Sequence, residues 1–388
     1  AIVSAFSVRR NWMRLRADAD SPLHRDLLYI DGLRVLVNHL VIVLHSFLIA
    51  SVAPAQNYSE LEDLANNVPM RIYLSSNAYL VQIFFTIGGY LLSVNFLRDA
   101  DRGPIDARYA GNKILNRLVR LVPVYAFFLL FSVSLNVRFD VNVNGFRLFT
   151  AENAICRQNW WTNVLFVNNF LWPKELCLMH TWYLAADLQL FLMAMGVLVL
   201  VHRRPKSVGS GQLTTLTLCQ LIPQRRAQRY ILWYDKFYLH AYIPTHINFG
   251  NYIQGVLTGV IYNELQKRSI NLAQSKVFRV VWYLTFAIIP LSMLPSYMFY
   301  VNDFPTPSVW MAAYFALSKN LYGIGVGIVI LGCIYGVNGV VKRMLNYPFF
   351  EPLGRLAYGA YLVHPFVMRY MFVSVRGPVH YSDLLTVK

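Results

Sequence analysis

Charge is scarce in this chain. Only 14% of its 388 residues are Asp, Glu, Lys or Arg, whereas 56% are hydrophobic and the mean hydropathy is +0.40. An ordinary soluble domain carries about 25% charged residues, so a soluble reading is excluded and a multi-pass membrane protein remains. Acid is scarcer still, with 19 Asp and Glu against 35 Lys and Arg and a formal charge of +16. In a soluble chain that excess would point to nucleic acid. Here the basic residues cluster between hydrophobic runs in the positive-inside pattern, so no nucleic-acid partner is expected and membrane lipids, through their anionic headgroups, are. Cysteine is limited to four residues with no Cys-x-x-Cys pair, which argues against a structural zinc site. The histidines form no clustered boxes of the kind that hold haem or di-iron, and no metal is expected. Internal repeats, an initiator methionine and a signal peptide are also missing, and residues 1–6 read as the tail of an earlier span, so the sequence is taken as a piece of a longer chain.

What is present is a series of apolar runs. Residues 1–30, with Arg9, Arg10, Arg14, Arg16 and Arg25, read as a cytosolic segment, and 31–388 as one membrane domain. Helices are expected at about 33–53, 78–97, from 118 with Pro123 near its start, 181–201, 249–263, 278–300, 321–341 and 352–373, an all-α bundle of about 8–10 spans when intact. Adjacent Gly88 and Gly89, and Gly255 with Gly259, predict close helix approaches. Residues 203–229 are anomalous: both ends are basic, the apolar centre is far short of the ~20 residues a span needs, and charge alternation still demands a crossing there. Residues 307–319 are too short to span alone and are read as interfacial or re-entrant. A final crossing is expected beyond the last residue.

Polar residues inside these runs draw attention. Arg34 and His45 are eleven residues apart, almost three turns at ~100° per residue and roughly 16 Å of rise. They share a helix face, Asn38 lies near the same stripe, and His39 points away. Asp187 and Gln189 sit in another apolar span, where a carboxylate is costly enough to suggest function; the plainer alternative is a carboxylate hydrogen-bonded within the bundle. Tyr361 and His364 lie one turn apart before Pro365. Lys319 can meet a phosphate or, more plainly, snorkel to the interface. Cys156 and Cys177 share one polar, extracytoplasmic loop, so they are candidates for a disulfide, the alternative being two unrelated thiols. Trp160, Trp161, Trp172 and Trp182 read most simply as an aromatic belt.

Several strings together resemble the acyltransferase-3 family of membrane O-acyltransferases: Asp31-Gly32-Leu33-Arg34 followed by His45, Phe84-Phe85 leading to Gly89-Tyr90-Leu91, Arg117 to Arg120 before Pro123-Val124-Tyr125, and Leu356-Ala357-Tyr358 with Tyr361-Leu362-Val363-His364. Residues 156–163, Asn168-Asn169-Phe170 and 177–189 are similar to its animal branch, called nose resistant to fluoxetine. Residues 203–229 match nothing expected of the family. The resemblance implies transfer of an acyl group from cytosolic acyl-CoA, a co-substrate and not a bound cofactor, to a hydroxyl of a lipid or other hydrophobic acceptor. His45 then becomes the general base, its proton-accepting form favoured away from water. Arg34 becomes the group that meets the phosphates of CoA. Asn38, Asp187, Tyr361 and His364 are expected to line the substrate path. The plasma membrane or an endomembrane is the expected location. The competing function is a transporter of lipids or small hydrophobic molecules without chemistry.

Overall fold

In the computed structural model, the described residues are 7–16, 27–52, 56–134, 150–203, 242–296, 309–374, 380–382 and 386–387. The anomalous stretch at 203–229 lies, apart from Arg203, outside them. So does the expected crossing there.

Twelve α-helices are formed among the described residues: α1 (Val8–Arg16), α2 (Leu28–Val52), α3 (Tyr58–Asn66), α4 (Val68–Ala100), α5 (Ala107–Ser134), α6 (Ala151–Val164), α7 (Trp182–Arg203), α8 (Thr245–Lys267), α9 (Lys276–Met293), α10 (Val309–Tyr335), α11 (Gly339–Leu345) and α12 (Phe350–Ser374). Residues 381–382 and 386–387 form a two-residue antiparallel pairing. Six helices are long and apolar enough to cross a membrane, within α2, α4, α5, α7, α9 and α10. α8 and α12 also have spanning length, and α8 buries polar residues, among them Asn248, Asn251 and Gln254. The fold is the expected all-α membrane bundle. Its outer faces suit lipid, since α5 exposes Val119, Phe127 and Leu130 and α9 exposes Val277, Val280 and Leu291.

Two of the boundaries that differ from expectation bear on buried charge. The start of α5 is Ala107, well before Leu118, because the basic stretch that reads as a loop is helical. Lys113, Arg117 and Arg120 therefore stand at i, i+4 and i+7, on one stripe. Likewise residues 309–319 are the first three turns of α10, continuous with the run at 321–335. Lys319 is consequently internal, and it is buried and not snorkelled.

The bundle has a tight half and an open half. In the tight half, α8 lies against α4 through glycines. A Cβ on Gly89 would collide with the Tyr252 carbonyl, one on Gly255 with the Thr86 carbonyl, and one on Gly259 with the Ser93 hydroxyl. Backbones in contact at this range gain dispersion that lipid does not supply. Polar side chains here find one another: Gln82 donates to Asn248 (2.7 Å), Gln254 to Asn320 (2.7 Å) and Asn251 to the Lys319 carbonyl (3.1 Å). In the open half, α2 packs along α12, and α5 leans on α6 and α12, leaving a space between α2, α4, α5, α7 and α12.

Candidate active site

That space is a cavity of about 590 Å³. One end is basic. Arg34 on α2, Lys113, Arg117 and Arg120 on α5, and Arg355 on α12 all line it. Their charges are partly balanced: Arg34 pairs with Asp31 (3.2 Å), Lys113 with Asp99 (2.7 Å), Arg117 with Asp187, and Arg355 with Glu351 (2.6 Å). The Arg117 guanidinium also lies over the Phe191 ring, 4.4 Å from its centre. Asp187 is thus the counter-ion of a cavity arginine, the pairing that makes a carboxylate tolerable at this depth. Arg355 donates to the Leu15 carbonyl (2.8 Å), which ties basic helix α1 to this end.

The other end is built from imidazole and aromatic rings. Nδ1 of His45 lies 2.7 Å from Nε2 of His364, and Nδ1 of His364 lies 3.2 Å from the Ala360 carbonyl oxygen. A carbonyl only accepts, so Nδ1 of His364 carries a proton. In a neutral ring its Nε2 then accepts, and Nδ1 of His45 donates to it. The lone pair of His45 is thereby placed on Nε2. His45 lines the cavity and His364 stands behind it, holding its tautomer and its angle. The rings are near-parallel, 5.0 Å apart at an angle of 18°. This alignment follows from α2 and α12 running side by side, with Asn38 donating to the Ala357 carbonyl (3.4 Å) two turns below. Tyr361 lines the cavity too, and its hydroxyl donates to the His180 carbonyl.

Arg34, Asn38, His45, Asp187 and Tyr361 are thus brought to one cavity, and His364 to its back wall. Lys319 is not among the lining residues. Cys156 and Cys177 are joined in a disulfide, which ties α6 to the segment leading into α7. The aromatic belt needs correcting at one position. Trp160 and Trp172 are half-exposed, but Trp182 is buried and lines the cavity, because it opens α7 on the side that faces α4 and α8. Sequence reading missed Lys113, Arg117, Arg120 and His180 as cavity residues. The spacing of 113, 117 and 120 was the signal for the first three, since only a helix makes them neighbours. Among the described residues no group of three or more His, Cys, Asp or Glu is disposed to hold a metal ion.

Comparison with known proteins gives these features a family. Residues 27–381 match an acyltransferase domain, the acyltransferase-3 model. The chain is 25% identical to nose resistant to fluoxetine protein 6 of Caenorhabditis elegans, over 79% of its own length and 40% of the relative's. It is 23% identical to regulator of hypoxia-inducible factor 1 of the same organism, over 75% of its own length and 60% of that protein's. It therefore spans 40% to 60% of the curated relatives it matches. No solved structure matches. With a family match across residues 27–381 and six helices fit to cross a bilayer, the chain is an integral membrane protein that belongs to the acyltransferase-3 family.

Proposed function

We propose that this chain moves an acyl group from acyl-CoA to a hydroxyl of a lipid or other hydrophobic acceptor, with His45 as general base. The observation that carries this reading is the hydrogen-bond chain from His45 through His364 to the Ala360 carbonyl, at the ring-lined end of a cavity whose opposite end is basic. A hydroxyl is a weak nucleophile near neutral pH, and a base held in one tautomer at the wall of the substrate space removes that handicap. In the transfer, the acceptor O–H proton passes to Nε2 of His45 as the oxygen attacks the thioester carbon. The C–S bond then breaks, and the departing thiolate takes the proton back from His45. Nothing is oxidised or reduced.

The basic end suits the other half of the donor. CoA carries its phosphates at one end and its sulfur at the other, with a flexible arm between. Arg34 and Arg120 offer planar, multiply donating cations to phosphate, and Arg117 is held in place by Asp187. Such a site gains most from keeping both reactants in register. Arg34 at a cytosolic mouth agrees with the charge asymmetry of the sequence and with where acyl-CoA is made.

The reading is tested by supplying purified protein in lipid nanodiscs with acetyl-CoA or palmitoyl-CoA and following free CoA. Release by wild type and its loss in His45→Ala are expected. Absence of release from both donors, with His45→Ala behaving as wild type in cells, would instead leave the transporter without chemistry.

A further inference from the structure

Two polar atoms at the middle of the cavity take no part in the base chain or the ion pairs. The first is the Tyr183 hydroxyl. Tyr183, Asp187 and Phe191 follow one another at i, i+4 and i+8 on α7 and all line the cavity, so Tyr183 stands one turn from the Arg117–Asp187 pair. Its ring is wedged against Phe85 (5.0 Å), Tyr361 (5.8 Å) and Phe84 (5.9 Å). The hydroxyls of three other lining tyrosines are committed, Tyr109 to Asp99 (3.0 Å), Tyr358 to the Leu121 carbonyl (2.9 Å) and Tyr361 to the His180 carbonyl. That of Tyr183 has no hydrogen-bond partner among the described residues and is not sealed from the cavity.

The second is the side-chain oxygen of Asn38, on the α2 wall. The Asn38 nitrogen is engaged by the Ala357 carbonyl (3.4 Å), so the oxygen is the atom left over. It too has no partner among the described residues and is not sealed from the cavity. α12 relates the two groups: Asn38 is held at Ala357, and Tyr183 packs on Tyr361, one turn further along. They therefore stand on different walls about 6 Å apart in height. Along α2, Asn38 is one turn from Arg34 and two from His45, roughly 6 Å and 10 Å of rise. Whatever meets this pair lies between the basic end of the cavity and the base.

We infer that this pair is a binding site for a secondary amide in the arm of the donor, with the Tyr183 hydroxyl donating to the amide C=O and the Asn38 oxygen accepting from the amide N–H. The inference rests on the acyl-transfer reading above. A trans amide points its C=O and N–H in opposite directions, so a donor on one wall and an acceptor on another match it. An ester, an ether or a plain alkyl chain is not matched at both. The arm of CoA carries two such amides between its phosphates and its sulfur. With the phosphates at the basic end and the thioester at His45, the arm has to pass the level of Asn38 and Tyr183. Each of these hydrogen bonds replaces one to water, so the gain in affinity is modest. The gain in selectivity is larger, because a carrier lacking the amide leaves both groups unpaired. Neither group moves a proton in the transfer, and both are binding residues.

The test sets one variant against altered donors in nanodiscs, with thiol release and melting temperature as readouts. Tyr183→Phe keeps the ring against Phe84, Phe85 and Tyr361 and should melt as wild type does. It should raise KM for acetyl-CoA about five- to tenfold, the loss of one hydrogen bond, and hold kcat within about twofold. Two analogues of acetyl-CoA each carry a trans alkene in place of one arm amide, which keeps length and shape and removes both polar groups. With one of them wild type should show at least that rise in KM, and Tyr183→Phe should add nothing to it, because the partner is already gone. Asn38 is probed from the ligand side: an ester in place of that amide loses only the N–H, and should raise KM for wild type and Tyr183→Phe by the same factor. The inference is overturned if Tyr183→Phe leaves KM for acetyl-CoA within about twofold of wild type. It is equally overturned if the variant costs as much with both alkene analogues as with acetyl-CoA, since the hydroxyl would then meet something other than the arm. In either case the acyl-transfer reading stands on His45. If wild type itself releases no CoA from acetyl-CoA or palmitoyl-CoA, that reading fails and takes this inference with it.

Discussion

The two halves of the bundle are polar in different ways. Between α4, α8 and α10 the polar groups are mostly amides and hydroxyls, paired across glycine contacts that leave no room for a ligand. Between α2, α5, α7 and α12 they are arginines, carboxylates and imidazoles arranged around an empty volume. Both halves place hydrogen-bonding groups in a membrane at a cost. The first spends that polarity on joining helices, and the second keeps it facing a space. Asn248 and His45 would look alike in a hydropathy plot, yet one is bonded to a neighbour at the centre of a seam and the other faces a cavity backed by a second ring.

Substitutions on either side should separate the two uses of polarity. The largest effect is expected from His45→Ala, which should lower CoA release by about 10²- to 10⁴-fold without changing the melting temperature; an equal loss of stability would merge the two halves. Arg117→Met should come next, leaving the Asp187 carboxylate buried without its cation at a cost on the order of 3 kcal/mol, and Arg117→Met with Asp187→Leu should regain much of the lost melting temperature. In the tight half, Gly255→Ala should destabilise by about 1–3 kcal/mol through overpacking against the Thr86 carbonyl, and the protein that remains folded should turn over at the wild-type rate. The smallest effect is expected from Arg120→Ala, which should raise KM for acyl-CoA about tenfold, the loss of one charge-assisted contact, with kcat held and the difference shrinking as salt is added.

Most of the bundle was legible because membrane helices announce themselves by length and apolarity, and errors fell where charge interrupts a helix. Lys113 and Arg117 read as a loop, since the same residues that mark the cytosolic side also end hydrophobic windows; their i, i+4, i+7 spacing with Arg120 was the better guide. Lys319 reads as a terminus for the same reason, although α10 starts ten residues before it. In the candidate site, Arg34 and His45 stood out because one helix carries both and periodicity aligns them. His364 and Asp187 stood out as well, but whom they meet did not, because His364 meets His45 and Asp187 meets Arg117 only through tertiary packing, across 319 and 70 residues of sequence. His180 had no periodic context at all, lying in a 3₁₀ turn among tryptophans.

The spacing along α2 has a further consequence. A helix is stiff, so the interval of roughly 16 Å between Arg34 and His45 cannot be adjusted to suit a ligand. Under the proposed function it would act as a ruler. A donor would be read at both marks only if its anionic end and its reactive carbonyl were separated by about that length, whatever is attached beyond the carbonyl. A thioester cut down to a short thiol would touch the second mark and miss the first, while one carried on a longer tether would overshoot. Discrimination among donors would then be set by the handle that presents the acyl group, leaving the cavity walls free to vary with the acceptor.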